Sequence, residues 1–139
     1  MTMTMTAATT HKDPRWMRWT SWLLSLLPVF IFLSSAWVRG THHPDAVAEI
    51  VTSYGFPESA IARIVIAECV LVALYLVPQT AVFGAIVLTG YLGGAVAAHV
   101  RIGDTARAMI PLFAGIFAWG GLYLRDARLR ALIPFRRPA

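Results

Sequence analysis

The chain has 139 residues, of which 58% are hydrophobic and 14% charged, against about 25% charged in an ordinary soluble domain. So small a soluble fold lacks the interior to hide that much apolar surface, which leaves the bilayer as the natural solvent. The formal net charge of +5 lies outside the apolar runs, so it points to a membrane surface and excludes nucleic acid as the partner.

Along the chain, the Met-Thr repeats and Ala-Ala-Thr-Thr of the first ten residues read as disordered, and residues 1–15 as a cytoplasmic N-terminus. Trp19 to Val38 is an uncharged run, preceded by Lys12, Arg15 and Arg18, with the roughly 20 residues that a bilayer-spanning helix needs. It exceeds the apolar region of a signal peptide and further spans follow, so it reads as a first span and not a cleaved leader.

Gly40 to Ala60 is too polar to span. Within it Val47, Ile50, Val51 and Tyr54 recur at helical spacing, which predicts a short amphipathic helix lying on the outer surface. Ile61 to Val77 is a second span interrupted by Glu68, and Ala81 to Val100 a third. Only Pro78-Gln79-Thr80 separates them, so a tight antiparallel hairpin is expected. A fourth, shorter span begins at Met109 or Ile110 and ends at Leu124, and residues 134–139 form a basic tail. The expected fold is all-α, an integral membrane four-helix bundle over residues 16–133.

The basic residues orient it. Lys12, Arg15, Arg18, Arg125, Arg128, Arg130, Arg136 and Arg137 flank the termini, whereas Arg39, Arg63, Arg101 and Arg107 flank the loops. The positive-inside rule then places both termini in the cytoplasm (N-in/C-in), and Trp16, Trp19 and Trp22 sit where an interfacial aromatic belt belongs.

Small residues four apart mark the third span. Ala85, Thr89, Gly93 and Ala97 form one row, with Gly90, Gly94 and Ala98 beside it. Because close backbone approach drives helix association in lipid, Gly90, Gly93 and Gly94 are expected to pack and the third span to be central. Glu68, the eighth residue of the second span, lies roughly 10 Å inside it. A carboxylate there costs at least a few kcal/mol unless paired, protonated or wetted, so it is either a functional group or a structural one held by a neighbouring helix.

His99 and Arg101 close the third span at the outer face and Arg39 closes the first. These residues suggest a polar pocket opening outward, with Glu68 at its floor and His99, Arg101 and Arg39 at its rim. Tyr91 and Thr89 lie deeper, where a hydroxyl can bond across helices or meet a ligand. Arginines at helix ends also snorkel to headgroups, and a histidine there complements the helix dipole, without any further role.

No phosphate loop, dinucleotide fingerprint or zinc pair is present, no metal site is expected, and the adjacent His42-His43 point apart on any helix. One cysteine, Cys69, excludes an intramolecular disulfide. A haem held by two histidines is excluded within one chain, because His99 has no second internal histidine to pair with.

The run Tyr75-Leu-Val-Pro78-Gln-Thr80, the stretch Thr89-Gly-Tyr91-Leu-Gly-Gly94 through His99-Val-Arg101, and Tyr123-Leu-Arg125-Asp126 resemble the DoxX-like family of small bacterial four-helix membrane proteins. Glu68 matches the glutamate such proteins carry in their second span. The first span departs: where many relatives have glycine then lysine near its outer end, this chain has Ser34-Ser-Ala-Trp-Val-Arg39. The resemblance implies an inner-membrane protein. The wider family takes its name from a membrane subunit of a thiosulfate:quinone oxidoreductase, so it also implies a link to membrane redox processes.

Three functions follow as expectations. The leading one is a subunit or quinone-proximal component of a membrane redox system, in which the Glu68 pocket binds a polar headgroup or relays protons. The chain encodes no electron carrier, so a redox-complex partner protein would supply it, and a quinone is the compatible cofactor. The others are a small proton-coupled transporter, as a homo-oligomer, in which Glu68 exchanges a proton, and a non-catalytic membrane scaffold.

Overall fold

The computed structural model describes residues 14–132. The expected disorder of the first residues and the basic tail at 134–139 lie outside them, as do Lys12, Arg136 and Arg137. Among the described residues every regular element is helical: α1 (Arg15–Gly40), α2 (Pro44–Ala48), a π-helical turn (Glu49–Ser53), α3 (Ala60–Leu76), α4 (Ala81–Arg101), α5 (Thr105–Arg125) and α6 (Ala127–Leu132). Three of them, α1, α4 and α5, are long and apolar enough to cross a membrane. α3 has 17 residues, about 25 Å at 1.5 Å per residue.

Local chemistry sets the boundaries. Val77 precedes Pro78 and is extended (ψ 119°), as the proline ring requires, which ends α3. Thr80 Oγ1 then donates to the Leu74 carbonyl at 2.8 Å and closes the turn. Asp104 caps α5 by accepting from the Arg107 N–H at 3.0 Å. Capping there starts the fourth long helix at Thr105, four residues before Met109, because the first turn tolerates Arg107 where it can reach solvent.

The four long helices form a ring in which α1 packs on α3 and α5, and α4 packs on α3 and α5. α4 is one corner of this ring and not its centre. The core between them contains Phe32, Leu71, Tyr75, Leu88, Leu92 and Leu122, with Ala85, Ala114 and Ala118 fully buried where helices come closest. Trp19, Phe30, Ile66 and Phe83 point outward and are largely exposed, as lipid-facing side chains do.

Glycines create two of the close approaches, but not the three expected from the spacing. A Cβ at Gly84 would sit 2.6 Å from the Tyr75 nitrogen, and one at Gly121 would sit 2.8 Å from the Ser25 nitrogen. At Gly90, Gly93 and Gly94 a Cβ would meet nothing within 4 Å. Their spacing puts them on neighbouring stripes of α4, yet no described helix packs closely against them, and Gly93 borders an open groove between α4 and α5. Cys69 is likewise exposed, on the outside of α3.

At the end where α1 begins and α5 finishes, the terminal end, Arg125 ties three elements together. Its guanidinium lies over the Trp22 and Tyr75 rings at 5.6 and 4.9 Å and donates to the Tyr75 carbonyl at 2.8 Å. Tyr75 Oη donates to the Ala118 carbonyl at 2.8 Å and lies 3.0 Å from Ser25 Oγ. α6, which nothing in the apolar pattern announces, starts directly after Asp126, whose carboxylate accepts from the Arg128 N–H at 2.8 Å; it buries Leu129 in the main core.

The opposite end, the loop end, is covered by α2 and the π-helical turn. This segment does not float on a surface as an amphipathic helix would. Ile50 and Tyr54 are buried with Ile61 in a small second core, flanked by Val47, Ile64, Val65 and Ala98, because the turn directs these residues down between α3 and α4.

Candidate functional site

Glu68 stands near the middle of α3 and is 3% exposed. Three side chains donate to its Oε1: Arg39 Nη1 at 2.5 Å, Tyr91 Oη at 2.8 Å and Ser35 Oγ at 3.2 Å. Arg39 Nη1 also donates to Ser35 Oγ, one helical turn back. α1 thus contributes two of the donors from its last turns, and α4 contributes the third from its middle. Phe32 flanks Tyr91, with ring centroids 5.6 Å apart.

The arrangement answers the cost of a charge at this depth. A buried ion pair needs good geometry and further hydrogen bonds to offset its desolvation, and here a guanidinium, a phenol and a serine hydroxyl converge on one oxygen. The other oxygen, Oε2, is buried with no hydrogen-bond partner among the described residues. Glu68 lines a cleft of about 910 Å³, together with Ser35, Arg39, Tyr91, His99 and Arg107. The cleft is roofed by residues of α2 and the π-helical turn, among them Glu49, Thr52 and Ser53.

A second polar set holds that roof. Tyr54 Oη lies 2.9 Å from His99 Nδ1 and 3.2 Å from Glu49 Oε1. Glu49 in turn pairs with Arg107 at 3.1 Å, and Arg107 also reaches Asp104 at 3.3 Å. Arg101 donates to the Tyr54 carbonyl. Burial, and then the Glu49 carboxylate beside it, push the Tyr54 phenol up to about 12.

Of the residues singled out in the sequence, the structure brings Glu68, Arg39, Tyr91 and His99 to one cleft. Arg39 is not a rim residue: it reaches down to the floor as the partner of Glu68. Arg101 does not line the cleft; it is exposed and braces the roof from outside. Thr89 faces away as well. It donates to the Ala85 carbonyl at 2.8 Å, accepts from Trp119 Nε1 at 2.8 Å and borders a separate apolar groove between α4 and α5.

Sequence reasoning passed over Ser35, Tyr54, Glu49 and Arg107. Tyr54 and Glu49 carried a signal, being the polar residues of a loop segment with helical periodicity; Ser35 carried none that distinguishes it from Ser34. Chemically the site offers a fixed, overall neutral ion pair, one spare buried acceptor and an imidazole nearer the roof. Among the described residues no cluster of three metal-ligating side chains occurs.

No curated protein and no solved structure matches the chain. The sequence matches the DoxX-like family over residues 23–121, a stretch that takes in Ser35, Arg39, Glu68, Tyr91 and His99, and the chain belongs to that family.

Proposed function

We propose that this small membrane protein is a four-span, N-in/C-in protein of the cell inner membrane, in which α3 crosses with α1, α4 and α5 and the loop end faces outward. It serves as a subunit or quinone-proximal component of a membrane redox system, and the cleft at Glu68 is where the polar head of a membrane-soluble molecule docks. The observation that carries this reading is the buried Glu68 carboxylate, neutralised by Arg39 on one oxygen and unpartnered among the described residues on the other, at the floor of a cleft of about 910 Å³. Ionisable groups inside a membrane domain are expensive and mark functional sites, and the volume suits a small-molecule headgroup.

Each residue has a role in this reading. Glu68 and Arg39 provide an acceptor and a donor for the headgroup, and Tyr91 and Ser35 hold the pair in place. His99 lies nearer the roof, where its ring meets the Tyr54 hydroxyl at 2.9 Å. Electrons pass to or from a partner protein, since the chain encodes no carrier.

The test is isolation of the protein from its own membranes in mild detergent, with the bound small molecules and partner chains identified by mass spectrometry. A quinone or related headgroup lipid bound by wild type and lost in Glu68→Gln supports the reading. An empty cleft without a redox partner, in wild type and variant alike, overturns it. Reporter fusions at the two termini should both be active only as cytoplasmic markers.

A further inference from the structure

We propose that the ligand of this cleft is a neutral amphipathic molecule whose head donates a hydrogen bond, from a hydroxyl or an amide-type N–H, to Glu68 Oε2, and whose apolar tail leaves sideways between α1 and α5 into the bilayer. The proposal rests on the reading of the cleft as a ligand site, and names the class of molecule that fits it.

The head is specified by the unused hydrogen-bonding capacity of the floor. Oε1 of Glu68 already receives Arg39, Tyr91 and Ser35, whereas Oε2 is buried and receives none among the described residues. An acceptor so placed costs free energy until a donor reaches it. A cation would supply a donor, but Arg39 sits 2.5 Å from the same carboxylate and repels a second positive charge. A neutral hydroxyl or N–H meets the acceptor without that penalty.

The path of the tail follows from the α1–α5 seam. Leu24, Ile31 and Val38 are seven residues apart and therefore share one stripe of α1. Toward the terminal end Leu24 lies against α5, 3.7 Å from a Cβ built at Gly120. Further along the same stripe Ile31 and Val38 instead line the cleft, facing Ile110 and Pro111 of α5. The cleft is thus bordered by both helices there. Val38 is 42% and Ile110 53% exposed, so the cleft opens on the side of the bundle, while α2 and the π-helical turn cover its top.

Full-length protein in lipid nanodiscs can be titrated with 4-dodecylphenol and its methyl ether, which differ only in the donor. Wild type is expected to prefer the phenol by about tenfold or more, the size of a hydrogen bond to a charged group. Glu68→Gln replaces Oε2 by an N–H₂ group that donates to either oxygen, so the preference should vanish. Ile110→Trp, at the side opening, should slow association of 4-dodecylphenol severalfold and leave that of 4-methylphenol, which has no tail, unchanged.

Equal wild-type affinities for phenol and ether would overturn the donor assignment while leaving the cleft a ligand site, provided that Glu68→Gln weakens both. Equal slowing of both phenols by Ile110→Trp, or no slowing of either, would overturn the sideways path. If neither dodecyl probe binds wild type, the proposal and the ligand-site reading both fall.

Discussion

Arg39 and Glu68 have opposite values alone and together. Removing only the arginine leaves a buried carboxylate with no counter-charge, which costs about 3–5 kcal/mol in comparable buried pairs. Arg39→Met should therefore unfold far more easily in denaturant titrations in detergent, and Arg39→Met/Glu68→Met should recover more than half of the loss. Additive losses would show that the two side chains do not act as a pair. Tyr54 gives a pH signature at the same scale. Its folded value is raised to about 12 from the ordinary 10, so the folded state holds the proton that the unfolded chain releases. Its contribution to stability is complete below about pH 10 and is lost as the pH rises through about 12. Ultraviolet titration of tyrosinate should show one phenol ionising near 12 that disappears in Tyr54→Phe, and that variant should lose less stability between pH 10 and 12 than wild type. Glu68 was legible in the sequence because a carboxylate inside an apolar run is conspicuous. Ser35 was not, because a serine in a helix can satisfy itself by bonding the preceding turn, as Ser34 does to the Ile31 carbonyl at 2.9 Å.

Helix positions and the hairpin were legible from apolar run length and from Pro78, but which face of each helix meets a neighbour was not. The glycines of α4 illustrate the reason: spacing assigns residues to a stripe, and only the tertiary arrangement decides whether that stripe is covered. A clean contrast follows. Gly84→Ala and Gly121→Ala place a methyl group against backbone that cannot retreat, and each should cost about 1–3 kcal/mol. Gly90→Ala, Gly93→Ala and Gly94→Ala enter open space within the chain and should be neutral, or stabilising by up to about 1 kcal/mol through helix propensity. Thermal unfolding of the purified variants measures both groups, and a Gly84→Ala variant as stable as Gly90→Ala would overturn the close α3–α4 approach at Gly84. The loop-end roof was half legible: its periodicity marked Val47, Ile50, Val51 and Tyr54 as one face, of which Val51 is exposed, but the π-helical turn that drives Ile50 and Tyr54 into the bundle has no signature in the sequence.

At the scale of the whole described molecule, the four long helices form a ring with a polar cleft at one end and a cation clamp at the other. Composition alone announced a membrane protein; the ring order did not follow from it, because hydropathy is indifferent to which apolar helix neighbours which. The shortest of the four long helices is α3, with 17 residues, and it carries the one thiol of the sequence, Cys69. That thiol follows Glu68 directly in sequence and points away from the bundle, so a nitroxide attached to it would act as a depth gauge requiring no engineered residue. In a reconstituted bilayer its paramagnetic relaxation should respond strongly to dissolved oxygen and weakly to a water-soluble nickel chelate. The reverse ratio would place the middle of α3 in the headgroup layer, and with it the carboxylate one residue away.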